Sequence, residues 1–205
     1  MGAATRASTA LGLDALAAVQ RPTADLGEQL LAAARGLASS RQLVNTLADA
    51  GVPEDQRSAL VAAALPSIGP QARSVLQAVV RGRWSEPNDL VGAVEELGIR
   101  AVAAPKSADG LEAELFTVIR TIGSDGRLEL ALGNTASPVA ARLALVDRLL
   151  SGANPATVAI VRHVVQLPGG RKPVEALTHA QTIVELRAIS WSRSFRRPRR
   201  SRRRR

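Results

Sequence analysis

Apolar residues recur along the chain at helical spacing. Leu60, Val61, Ala64 and Leu65 keep an i, i+1, i+4, i+5 rhythm, one face of a 3.6-residue period. Before them, Asp25 and Glu28 have the spacing of a capping box, opening a helix through Leu30, Leu31, Ala34 and Leu37. Ser40 is placed to cap a short helix carrying Leu43, Val44 and Leu47. Pro53 suits the first turn of the helix that holds Leu60. Pro70 opens the next, with Ala72, Val75, Leu76, Val79 and Val80. Ser85 starts another, with Leu90, Val91, Val94 and Leu97, and Gly98 is its expected stop. With a first helix near Ala7–Gln20, the pattern predicts a bundle of short helices over residues 1–98. Residues 99–110 carry Pro, Gly and small polar side chains, which predicts a linker with an extended piece at Ile99–Ala103.

The pattern then repeats. Sliding the sequence by 85 residues places Pro53 on Pro138 and Pro70 on Pro155. Leu30 falls on Leu115, Arg35 on Arg120, Arg57 on Arg142, and Ala59-Leu60-Val61 on Ala144-Leu145-Val146. Matched leucines are cheap in so Leu-rich a chain. The two helix-opening prolines, in register with the apolar stripes, argue for an internal duplication. The expected architecture is all-α: two related short-helix bundles in tandem at 1–98 and 111–186, then a basic tail at 187–205 expected to be disordered. A bundle of this size buries only about 60–65% of its unfolded surface, so packing between units or onto a partner would stabilise it.

Composition agrees with helices. Of 205 residues 46% are hydrophobic but only 2% aromatic, with two Trp, two Phe and no Tyr, so the core must be built from Ala, Leu, Val and Ile. There is no Cys, which excludes disulfides, thiolate nucleophiles and zinc–sulfur clusters. The formal net charge of +9 misleads until it is split. Ten Arg and no acid lie between Arg187 and Arg205; the remaining 17 basic and 18 acidic residues leave residues 1–186 at −1. A balanced body argues against a nucleic-acid surface spread over the whole domain. No apolar run reaches the ~18 residues of a membrane span, and the N-terminus is a poor signal peptide because Asp14 interrupts it.

Candidate chemistry is sparse. His163 and His179 have no metal-ligand spacing, and His163, beside Val164 and Val165, reads as a boundary histidine. Gly169-Gly170-Arg171-Lys172-Pro173 lacks the spacing of a phosphate loop and reads as a turn, with Pro173 opening the next helix. Glu95-Glu96 and Glu112/Glu114 read as helix-face carboxylates without an acid–base partner. No residue is assigned to catalysis, to a cofactor or to a metal. Amphipathic helices without site chemistry point instead to an interaction module.

The second repeat resembles a known family. Glu114-Leu115-Phe116-Thr117-Val118-Ile119-Arg120 is followed by Gly126-Arg127-Leu128 and a Pro138-led helix through residues 140–150. Then Asn154-Pro155 leads the run 156–165. This order resembles the helical domain of the delta subunit of F-type ATP synthases, the oligomycin-sensitivity-conferring protein of mitochondria. The first repeat, with residues 95–100 and 111–115, resembles the extra N-terminal helical region of actinobacterial delta subunits. The resemblance covers roughly residues 1–186. It implies a non-catalytic stator subunit of the peripheral stalk, on the cytoplasmic side of the cell membrane. Its partners would be alpha subunits of the catalytic head, gripped at their N-terminal helices, and the b subunit of the stalk. No cofactor or small-molecule substrate is implied.

The chain departs from that family after the helix opened by Pro173, which carries Val174, Leu177, Thr178, Thr182, Ile183 and Leu186. The family's smaller β-containing domain is expected there, yet no alternating strand pattern follows. An Arg-rich segment with Trp191 and Phe195 takes its place. Two readings of that segment compete. One is the product of a frameshift near residues 185–190 in a GC-rich gene. The other is a basic anchor for nucleic acid or acidic lipid, which would make the chain a nucleic-acid-binding protein on a helical scaffold.

Overall fold

The computed structural model describes residues 2–20, 24–104 and 108–194, with side chains of the last helix described up to Leu186. Eleven helices and no strand occur among the described residues. They are α1 (Ala3–Ala18), α2 (Ala24–Ala38), α3 (Arg41–Ala48), α4 (Glu54–Ala64), α5 (Pro70–Arg81) and α6 (Pro87–Val102). After them come α7 (Leu111–Ser124), α8 (Gly126–Gly133), α9 (Val139–Leu149), α10 (Pro155–Gln166) and α11 (Pro173–Ser194).

The 85-residue offset holds in three dimensions. It carries the bounds of α3, α4 and α5 onto those of α8, α9 and α10 without a residue of slippage. The caps follow. Ser40 accepts a hydrogen bond from Leu43 N–H at the start of α3, and Asp125, at the matching position, accepts from Arg127 and Leu128 N–H at the start of α8. Two buried arginines follow as well. Arg57 on α4 donates to the carbonyls of Leu47 and Gly82 at 3.5 and 3.1 Å. Arg142 on α9 donates to the Val165 carbonyl in the last turn of α10 at 2.6 Å. Each guanidinium is set against the C-terminal end of a neighbouring helix, where backbone carbonyls lack partners and a cation is favoured.

The same offset places α1 on α6, and α6 on α11. The helix contacts obey this: α1 packs on α5 and α6 as α6 packs on α10 and α11, and α2 packs on α6 as α7 packs on α11. The molecule is therefore two six-helix units that share α6, which is the last helix of one unit and the first of the other. Its side chains divide accordingly. Leu90, Val94, Leu97 and Ala101 enter the core of the first unit, and Ile99, Val102 and Ala103 enter the core of the second.

Sharing explains where the local reading fails. Gly98 does not stop α6, and Ile99–Val102 is helix rather than the extended start of a linker, because both cores bury it. Gly98 is needed for close approach: a Cβ there would lie 2.7 Å from Leu31 Cδ2 and 3.0 Å from its backbone nitrogen. Gly27 on α2 returns the contact, its Cβ position being 2.5 Å from the backbone nitrogen of Val102. The matching positions in the second unit are Glu112 and Ile183, so this tight crossing belongs to α2 and α6 alone.

Other start signals shift slightly. Asp25 lies in the first turn of α2 rather than at its cap, where its charge still meets the positive end of the helix dipole. Pro53 and Pro138 are N-cap residues, whereas Pro70 and Pro155 are the first helical residues. α6 begins at Pro87, two residues after Ser85. α11 continues through Ser194, eight residues past the end at 186 expected for the second bundle. The rest of the expected tail, 195–205 with Phe195, lies outside the described residues, as does the Trp191 side chain.

Candidate functional site

No group of three or more His, Cys, Asp or Glu among the described residues could hold a metal, and no described helix is long and apolar enough to cross a membrane. What the fold does build is a joint between its two units. α2 of the first unit lies against α6 and against α10 of the second.

His163 on α10 is the polar centre of that joint. It is fully buried, not the boundary residue its neighbours in the sequence suggested. Its Nδ1 lies 3.0 Å from Arg35 Nη1 on α2, and its Nε2 lies 3.2 Å from Glu95 Oε1 on α6. A guanidinium can only donate, so Nδ1 accepts and the ring proton sits on Nε2, donating to the Glu95 carboxylate. One imidazole thus ties three helices. Burial, then the nearby Arg162 cation, hold the Arg35 guanidinium below its ordinary pKa, and Glu28 acts the other way. Glu95, expected to be unpartnered, is therefore committed to His163, and Glu96 is paired with Arg100 one turn later. No sequence motif signals this cluster. The matching residues of the first unit are Ala10 and Ala78, so the duplication itself gives no hint of it.

Glu114 also finds partners. Its Oε2 accepts from the Asn154 backbone N–H at 2.9 Å and from the Thr157 hydroxyl at 2.6 Å, fastening α7 to the start of α10. Glu112 stays in the exposed first turn of α7, and His179 is exposed on α11. Gly169 and Gly170 form the predicted turn with φ of +61° and +77°, values that suit glycine, and Pro173 opens α11.

Among the described residues, a groove and a depression have the shape to receive a partner. An open groove of about 850 Å³ runs along the joint between α2 and the α9–α10 pair. Leu31, Leu143, Leu150, Val158 and Ala159 give it apolar walls. Asp25 and Glu28 mark its line at the start of α2, and Arg35 and Arg162 mark it toward the ends of α2 and α10. A shallower depression of about 410 Å³ lies between α8 and α9, lined by Leu130, Ala131, Ala141 and Leu145. Leu130 is 72% exposed there, the most exposed large apolar residue described, and Val139 nearby in sequence is 44% exposed. At the matching positions the first unit has Asn45, Thr46, Gln56 and Leu60, with Glu54 in place of Val139. The scaffold therefore does not require apolar side chains at positions 130, 131, 139 and 141, whereas Leu145 and its match Leu60 both pack against a core.

No protein-family model matches the chain. Curated relatives do. The ATP synthase subunit delta of Leifsonia xyli subsp. xyli is 40% identical over 189 residues, which cover 90% of this chain and 71% of the relative. The ATP synthase subunit delta of Acidothermus cellulolyticus is 38% identical over 161 residues, covering 76% and 59%. That of Thermobifida fusca is 34% identical over 172 residues, covering 81% and 64%. The match thus spans 59% to 71% of the length of these three relatives.

Proposed function

The chain belongs to the delta-subunit family of ATP synthases, and from that membership we propose that it is a non-catalytic subunit of the peripheral stalk, holding the catalytic head against rotation. The observation that carries this reading is the 40% identity to a named delta subunit across 90% of the chain. The architecture supports it. A stator resists torque by staying rigid, and two units that share a buried helix and are pinned by the Arg35–His163–Glu95 cluster have few soft connections.

Its partners in this reading are the alpha subunits of the head, received as helices, and the b subunit of the stalk; its place is peripheral, on the cytoplasmic face of the membrane. Apolar grooves flanked by helices are the usual seats for amphipathic partner helices. The test is co-sedimentation of the purified chain with the cognate catalytic head. The expected result is a stoichiometric complex whose ATPase rate equals that of the head alone. Failure to bind the head contradicts the proposal.

A further inference from the structure

The contact of α2 with α10 turns on one imidazole whose two nitrogens have opposite duties. Nδ1 of the buried His163 accepts from Arg35 at 3.0 Å, and Nε2 donates to Glu95 at 3.2 Å. Arg35 has no lone pair to offer, so the tie across the joint exists only while Nδ1 carries no proton. We propose that His163 is an acid-sensitive clasp between the two units: a proton taken up at Nδ1 expels Arg35 and frees α2 from α10, while Glu95 goes on holding α10 to α6. This goes beyond the stator reading and does not rest on it.

The two sides of the ring answer a proton differently. On the Nε2 side the hydrogen bond to Glu95 becomes an ion pair, and the last turn of α10, where His163 sits, favours a cation. On the Nδ1 side two N–H donors would point at each other across the present 3.0 Å, and their like charges repel. Arg35 is the group that can leave. It is half-buried on the wall of an open groove, and Glu28 lines the same wall two turns earlier. Burial first and Arg162 second disfavour the Arg35 charge where it stands, and Glu28 favours it.

Among the described residues, the other charges on helices packed against α10 are engaged elsewhere or exposed. Arg162 is paired with Asp147 of α9, and Arg142 of α9 donates to the Val165 carbonyl. Glu114 of α7 accepts from Thr157, Glu96 of α6 is paired with Arg100, and Asp89 of α6 accepts from Thr5. Asp25 on α2, Glu112 and Arg120 on α7, Arg148 on α9, and Glu175, His179 and Glu185 on α11 are exposed.

The scaffold does not demand this imidazole, because the first unit has Ala78 in its place and Ala10 in place of Glu95. Nor does its release part the units. α6 belongs to both, and α2 keeps its close crossing with α6 at Gly27 and Gly98. What opens is the one polar link from α2 to α10, which is how a buried histidine turns a change of pH into a change of contact.

The experiment follows amide hydrogen exchange of the full chain at about pH 8 and about pH 5.5, either side of the value near 6.5 for a free imidazole. Rates are corrected for the direct effect of pH on exchange. At the lower pH, protection of the α2 amides at 33–38 is expected to fall tenfold or more, while that of the α6 amides at 93–98 changes less than threefold. Arg35→Gln keeps the tie and removes the switch, because a carboxamide can turn to donate to a bare Nδ1 or accept from a protonated one. Its α2 protection is expected to change less than threefold between the two conditions. His163→Gln, with no proton to take up in this range, is expected to behave the same way, and if it does not fold, Arg35→Gln decides alone. Equal α2 protection in the wild-type chain at both pH values overturns the clasp. So does an Arg35→Gln chain as acid-sensitive as wild type. A loss of protection spread evenly over all the helices overturns it as well, being general acid unfolding.

Discussion

At Gly27 a missing side chain has a measurable value. Alanine is the better helix former by about 1 kcal/mol, so a glycine in mid-helix is ordinarily a loss. The Cβ of an alanine at 27 would sit 2.5 Å from the Val102 backbone nitrogen, and backbone in a packed helix pair does not give. Overpacking of this kind costs about 1–3 kcal/mol and outweighs the propensity gain. Gly27→Ala is expected to lower the unfolding free energy by about 1–2 kcal/mol in urea titration. Gly92, in α6, has nothing within 4 Å of its Cβ position, so Gly92→Ala is expected to raise it by about 0.5–1 kcal/mol. Equal effects at the two positions would mean that α2 and α6 do not approach as described.

His163 is the second residue whose role is set by what it touches. His163→Leu keeps the volume but leaves an Arg35 N–H and the Glu95 carboxylate without their partner. Stranding these groups is expected to cost about 1–3 kcal/mol. The same substitution on a Glu95→Gln background should cost less, and a double-mutant cycle measures the difference. Strict additivity would show that the triad is incidental.

Among the helices, what could be read from sequence depended on whether the signal was local. The stripe Ala72, Val75, Leu76, Val79 and Val80 is wholly buried in α5, and Ser40 caps α3 as its position predicts. The repeat offset was visible from Pro53, Pro70, Pro138 and Pro155 because prolines mark helix starts whatever surrounds them. α6 was misjudged at its end for the opposite reason. Gly98 looks like a stop, and only the presence of Leu31 on another helix shows that it is a contact. The His163 cluster was invisible because its members are 68 and 128 residues away from the histidine.

α8 provides a test at this level. Leu130 is 72% exposed and Leu132 only 1%. Leu132→Ala is expected to cost about 2–5 kcal/mol, and Leu130→Glu no more than about 0.5 kcal/mol, by thermal or urea unfolding. A large cost at Leu130 would place it in a core rather than on a surface.

Taken whole, the molecule depends on α6 twice. Nearly every side of that helix is buried, as expected of one packed between two cores rather than lying on one. A fragment of residues 86–194 retains α6 and is expected to melt cooperatively as a folded domain. A fragment of 108–194 loses Ile99, Val102 and Ala103 from its core and is expected to show no cooperative transition by circular dichroism. Independent folding of the shorter fragment would mean that the second unit owns all its helices.

Rigidity at this level is what the proposed role requires, since any give between the units would be lost as slip between head and membrane. The decisive measurement is proton-driven ATP synthesis by inside-out membrane vesicles from the native host, before and after the chain is stripped away. Synthesis is expected to collapse on stripping and return on adding the purified chain together with any remainder of its subunit, while ATP hydrolysis by the released heads persists throughout. Undiminished synthesis in stripped vesicles would contradict a stator role.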